Sequence, residues 1–148
     1  MPIRLSFVRV AWLATVLALA ACSTTPPRAA PQSAPLLLIS IDALRVDYLG
    51  KGDTPNLDQL AHEGVRAEWM NPSYPALTYP NHFTLVTGLR PDRHGVVHNT
   101  MREEGLGDFR VADRAAVGDG RWWLADPIWI GAEKAGLRTA IWAWPGGA

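Results

Sequence analysis

The chain has 148 residues, with Lys plus Arg and Asp plus Glu equal at 14 each, and that length suffices for one modest domain with a real core. Setting aside Arg4 and Arg9, which fall in an export leader, leaves 12 basic against 14 acidic residues, a net charge of −2. Such a balance excludes a nucleic-acid scaffold, and Cys22, the single cysteine, excludes an internal disulfide.

Residues 1–21 read as a signal peptide of the lipoprotein type. Arg4 and Arg9 supply the positive start, and Val10 to Ala21 is an apolar run too short to span a bilayer comfortably. Leu19-Ala20-Ala21-Cys22 resembles the lipobox of bacterial lipoproteins, which implies a lipid on Cys22 and attachment to a membrane through it. An ordinary cleaved signal peptide with a chance cysteine is the competing reading. Ser23 in place of Asp after the cysteine points, by the same resemblance, to the outer membrane, so the expected location is exported and periplasmic. After Cys22, the rest of residues 22–35 is Ser, Thr, Pro, Ala and Gln with one Arg. That composition cannot bury enough apolar surface to order itself and predicts a flexible tether.

From residue 36 to 148 the pattern predicts an α/β domain. Leu36 to Ile41 is a continuous apolar run that suits a buried strand of a parallel sheet. Asp42 then falls at the carboxyl end of that strand, the edge at which open α/β sheets bind ligands. Thr54-Pro55 reads as an N-cap and first helical residue, with Leu57, Leu60 and Ala61 on one face and Gly64 as the stop. Val65 to Met70 predicts a second strand, broken by the prolines of Asn71 to Pro75. A helix is expected from Pro80 to Thr87, closed by Gly88, and the Gly-rich polar stretch Gly105 to Arg121 is expected to be a loop. Asp126-Pro127 repeats the cap signal for a helix ending at Gly136, after which Leu137 to Trp144 predicts a strand.

The segment Pro75-Ala76-Leu77-Thr78-Tyr79-Pro80-Asn81-His82 puts a hydroxyl just before a proline-started helix. Unpaired N–H groups and the positive end of the helix dipole favour an anion at such a place. A threonine hydroxyl needs a base or a metal before it attacks anything at neutral pH, and Asp42 is a hard carboxylate that suits zinc. Each residue also has a plainer job: Thr78 as a helix cap, Asp42 as a turn former, and His82 and His94 as packed, hydrogen-bonded side chains.

Together these residues resemble the type I phosphodiesterase and nucleotide pyrophosphatase family of the alkaline phosphatase superfamily. The resemblance rests on Leu37-Leu38-Ile39-Ser40-Ile41-Asp42, Thr54-Pro55-Asn56-Leu57, Leu77-Thr78-Tyr79-Pro80-Asn81-His82 and Thr87-Gly88-Leu89-Arg90-Pro91-Asp92-Arg93-His94-Gly95. It extends to Trp122-Trp123, Pro127-Ile128-Trp129 and Trp144-Pro145-Gly146. It implies an alkaline-phosphatase-like sheet with flanking helices, of which residues 36–148 form the N-terminal part. It further implies two zinc ions, with Asp42 and Thr78 as ligands of the same one, and attack by Thr78 on phosphorus to give a phosphothreonine. Asn99 matches the family asparagine that hydrogen-bonds a nonbridging phosphate oxygen. Tyr79 takes the place of an aromatic residue beside the nucleophile, where it either stacks on a nucleobase or packs inward. The implied substrate is a small nucleotide or another phosphodiester, and the oligomeric state stays open.

Ala76 stands where relatives often carry a small hydroxyl residue, and His98 where an acidic residue is frequent. The remaining zinc ligands of the family have no counterpart here, whereas a catalytic zinc normally takes three protein ligands. The expectation is that the 148-residue chain is inactive alone and that the natural product is longer. Alternatives are a phosphomonoesterase or a phospholipid-directed diesterase of the same superfamily, or an inactive lipid-anchored fragment; a sulfatase is disfavoured because no C-x-P-x-R segment is present. Trp122, Trp123, Trp129, Trp142 and Trp144 are expected to serve a core before a ligand.

Overall fold

The computed structural model describes residues 34–147, so Cys22, the leader and the tether up to residue 33 lie outside the described residues. The chain divides into two units, Met1–Leu38 and Ile39–Ala148. Of the first, residues 34–38 are described; they are exposed and without regular structure.

The second unit begins with a 3-10 turn at Val46–Tyr48 and helix α1, Pro55–Glu63. Pro55 opens α1, where its missing N–H costs nothing, and the N–H of Gly64 closes it on the Leu60 carbonyl at 2.9 Å. The Thr54 hydroxyl does not cap the backbone; it donates to Asp58 at 3.3 Å. Helix α2 runs Thr78–Thr87, starting two residues earlier than expected. The first turn of a helix makes no use of its N–H groups, so Pro80 is tolerated as the third residue and the start can move upstream. Leu77 is therefore the N-cap and Thr78 the first helical residue. Gly88, at φ 69°, ends α2 in the left-handed conformation that favours glycine.

Helix α3, Pro91–His94, follows at once and is closed by Gly95. A side chain at Gly95 would meet Leu124 at 2.8 Å, because the Leu124 N–H reaches the His94 carbonyl at 3.1 Å. The stretch expected to be a loop instead carries structure: a strand at Gly107–Arg110, helix α4 (Arg114–Val117) and a 3-10 turn at Gly120–Trp122. Strand β1, Thr100–Glu103, pairs antiparallel with β2, Gly107–Arg110, placing Met101 opposite Phe109. Asp113 caps α4 by accepting from the N–H groups of Ala115 and Ala116. Helix α5, Ile128–Lys134, comes last, with Pro127 at the cap position and Asp126 paired to Lys134 in place of capping.

The core gathers where α2, the hairpin and the tryptophans meet. Phe83, Val86, Val96, Phe109 and Trp122 are buried, and Tyr79, Met101, Trp123, Trp129 and Trp144 pack against the Phe83, Val86 and Val96 cluster. Phe83 meets the Trp123 ring edge to face at 4.9 Å between centroids, a geometry that favours aromatic pairs. Trp142 departs from the expected core role, being 93% exposed.

The three expected strands, Leu36 to Ile41, Val65 to Met70 and Leu137 to Trp144, are not formed among the described residues; the sheet found there is the β1–β2 hairpin. Apolar runs encode burial, but a strand exists only when a second strand completes its ladder. Leu36, Val65 and Leu137 accordingly stand exposed. Among the described residues no helix is long and apolar enough to cross a membrane.

Candidate active site

Asp42 and Thr78 meet although 36 residues separate them. The Thr78 hydroxyl donates to Oδ2 of Asp42 at 2.8 Å, while Oδ1 accepts the N–H of Ala43 at 3.0 Å. Both carboxylate oxygens are thus engaged, one on the backbone and one on the hydroxyl. Ala43 reaches this geometry at φ 57°, a left-handed conformation that costs a residue with a Cβ about 1–2 kcal/mol. Strain of this kind concentrates at functional sites.

The start of α2 offers fewer free donors than its position suggests. The N–H of Tyr79 is taken by Oδ1 of Asn99 at 3.0 Å, and Pro80 has none. Thr78's own N–H takes no backbone partner among the described residues. The bond to Tyr79 identifies Oδ1 of Asn99 as the acceptor, and so leaves the amide nitrogen as the side chain's donor. The Asn99 backbone is fixed as well, since its carbonyl accepts from Val111 at the end of the hairpin at 3.3 Å. Tyr79 itself is half-buried, with its ring edge-on to Phe109 at 5.9 Å and tilted against Trp123 at 6.2 Å. Its packing is firm.

Two partly buried networks frame this corner, and neither is legible in the sequence. In the first, Asn81 accepts from the N–H of Ser73 at 2.7 Å and donates to the carbonyls of Pro75 and Leu77 at 2.8 and 3.0 Å. The Ser73 hydroxyl also meets Asn81 and Thr84, and Thr84 meets Nε2 of His94 at 3.0 Å. Nδ1 of His94 accepts the N–H of Val96 at 3.2 Å, so Nε2 carries the hydrogen. Burial holds the His94 pKa below the ordinary histidine value of 6.5, against the opposing charge of Asp92. In the second network His82, 8% exposed, bonds the Thr78 carbonyl through Nδ1 at 2.7 Å and the Ser40 hydroxyl through Nε2 at 3.0 Å. The plainer reading of both histidines, packed and hydrogen-bonded, describes where they sit.

Asp42 and Thr78 present two adjoining oxygen donors, the hard kind that suits zinc. Among the described residues no group of three or more His, Cys, Asp or Glu gathers around a point. The residues present fit one corner of a metal centre and do not amount to one. An open cleft of about 640 Å³ between residues 72–75 and 90–97 lies elsewhere, lined by none of Asp42, Thr78, Tyr79 or Asn99.

An alcohol on the first turn of a helix, bonded to a turn carboxylate and flanked by an oriented amide, is a layout suited to hydrolases that attack through a side-chain hydroxyl. The chain belongs to the type I phosphodiesterase / nucleotide pyrophosphatase family, whose sequence model matches residues 36–148. It is 44% identical over 131 residues to ectonucleotide pyrophosphatase/phosphodiesterase family member 7 of Rattus norvegicus, a match covering 87% of this chain and 30% of that protein. It is 35% identical over 130 residues to the venom phosphodiesterase of Naja atra, covering 84% of this chain and 16% of the other. The solved structure of human ectonucleotide pyrophosphatase / phosphodiesterase 5 superposes with a TM-score of 0.70 at 36% identity, covering 76% of this chain and 30% of that one. The fold is therefore the alkaline-phosphatase-like α/β class, and the chain spans about a third or less of the relatives it matches.

Proposed function

We propose that this chain supplies the nucleophile corner of a zinc-dependent enzyme that hydrolyses phosphodiester or pyrophosphate bonds in nucleotides through a phosphothreonine. The observation that carries the reading is the 2.8 Å contact between the Thr78 hydroxyl and Asp42, with the Asn99 amide oriented beside it. In this scheme Oδ2 of Asp42 fixes the hydroxyl rotor, and the Thr78 oxygen, giving up its proton to solvent, forms a bond to phosphorus as the bond to the leaving group breaks, the leaving oxygen taking up a proton from solvent to depart as the alcohol or phosphate. Water then displaces Thr78 and releases the phosphomonoester. The Asn99 amide donates to a nonbridging oxygen, stabilising charge that builds in the transition state without adding charge of its own. Tyr79, fixed by Phe109 and Trp123, is the side chain beside the nucleophile that a nucleobase would meet. Zinc held partly by Asp42 and Thr78, when bound, supplies the lowered hydroxyl pKa that a free threonine lacks.

The names of the relatives, which speak of pyrophosphatase and phosphodiesterase, support the general activity. The leader and Cys22 support an exported, lipid-anchored protein at the outer membrane. Assay of the full-length protein against p-nitrophenyl thymidine monophosphate and p-nitrophenyl phosphate, with and without chelator, tests the reading. Diester preference, lost on chelation and in Thr78→Ala, is the expected result. Monoester preference would move the protein to a phosphatase, and full activity of Thr78→Ala would remove the nucleophile.

A further inference from the structure

Resting on Thr78 as the nucleophile, we infer that His82, with Ser40 as its partner, is the positioning residue that sets the contact between Thr78 and Asp42. Ser40 and Asp42 lie two residues apart on one segment, and Thr78 and His82 lie four apart on one face of α2. Two side-chain bonds therefore run across the same gap: Thr78 to Asp42 at 2.8 Å and His82 to Ser40 at 3.0 Å. One bond alone lets the segment carrying the carboxylate pivot about it. The second removes that freedom.

The bond directions are fixed by the partners. A carbonyl oxygen only accepts, so the contact from Nδ1 to the Thr78 carbonyl at 2.7 Å places a hydrogen on Nδ1. The neutral ring then offers Nε2 as an acceptor, and the Ser40 hydroxyl donates to it. A flexible amide cannot hold both partners at the fixed separation of two ring nitrogens. The helix side of the clasp is anchored in turn by Trp144, whose indole N–H donates to the His82 carbonyl at 3.2 Å and whose ring meets the imidazole edge to face at 5.5 Å. With His82 buried and Ser40 half-buried, water competes poorly for these bonds.

Two readouts test the clasp independently. In the intact chain labelled with nitrogen-15 at histidine, long-range nitrogen–proton spectra should show His82 protonated at Nδ1 and bare at Nε2. Ser40→Ala should then shift Nε2 of His82 together with the backbone amides of Asp42 and Thr78, while the His94 ring stays unmoved. In the full-length protein, Ser40→Ala and His82→Asn should each lower kcat about tenfold with KM within about twofold, and Ser40→Thr, which keeps a hydroxyl, should restore most of the loss. A hydrogen on Nε2, or amides of Asp42 and Thr78 indifferent to Ser40→Ala, overturns the inference. So does a wild-type kcat in both variants when Thr78→Ala is dead. If Thr78→Ala stays active, it is the nucleophile that falls, and the ring spectra still decide the clasp.

Discussion

Oδ1 of Asn99 accepts the backbone N–H of Tyr79 at 3.0 Å, so the residue after Thr78 orients the amide proposed to hold the phosphate. The same bond predicts how Asn99→Asp should fail. A carboxylate keeps the acceptor for Tyr79 and has nearly the same shape, but it replaces the N–H donor with negative charge facing a phosphate. We expect the thermal midpoint to stay close to wild type while kcat/KM on a diester falls about 10²–10³-fold, as for loss of an oxyanion donor. Circular dichroism melts alongside steady-state kinetics give both numbers. Equal loss of stability and activity would mean that Asn99 merely ties the hairpin to α2.

Ala43 sits at φ 57° with its N–H bound to Asp42, which couples backbone strain to the site. Glycine relieves the Cβ clash worth about 1–2 kcal/mol and gives back part of it in unfolded-state entropy. Ala43→Gly should therefore stabilise the chain by about 0.5–1 kcal/mol, read from urea unfolding. The looser turn should lower kcat about fivefold, the equivalent of about 1 kcal/mol at the transition state. A more stable variant with unchanged kcat would show that the strain does not aim Asp42.

The parts legible in the sequence were those with local causes. Pro55 and Gly64 bound α1, and Gly88 ends α2, because proline and glycine act through their own backbone restrictions. Thr78 and Asp42 could be singled out because each sits beside a local signal, Pro80 in the first turn of α2 and the end of an apolar run. The hairpin was not legible, since its strands have four residues each and only Phe109 of β2 is buried, too short a stretch for alternation to show. Gly105, at φ 83°, lies in the hairpin's turn, and Gly107, at φ 90°, opens β2, although both read as loop residues in the sequence. The apolar runs predicted as strands are neither paired nor buried among the described residues, because nothing in a run names its ladder partner. Ser40 and His82 were illegible as a pair for a related reason: their bond spans 42 residues, and only the assembled corner brings them together.

Burial of His94 predicts a pH dependence of stability at mildly acidic pH. It is fully buried, with Nδ1 accepting from Val96 and Nε2 bound to Thr84, and the nearby charge that opposes its burial is Asp92. Its folded pKa lies below 6.5, so at mildly acidic pH the unfolded chain takes up a proton that the folded chain refuses. Stability is then fully present above about pH 6.5 and declines as pH falls below it, levelling off only once the folded ring also titrates. Protonation at Nδ1 would also set two N–H groups against each other, breaking the bond to Val96 at the base of the loop that leads to Asn99. Urea midpoints measured from about pH 7.5 to pH 5 should fall with a slope of at most about 1.4 kcal/mol per pH unit from this group. In His94→Gln the absolute stability will be lower, and the slope over the same window should flatten. Parallel pH profiles for the two proteins would place the acid sensitivity elsewhere.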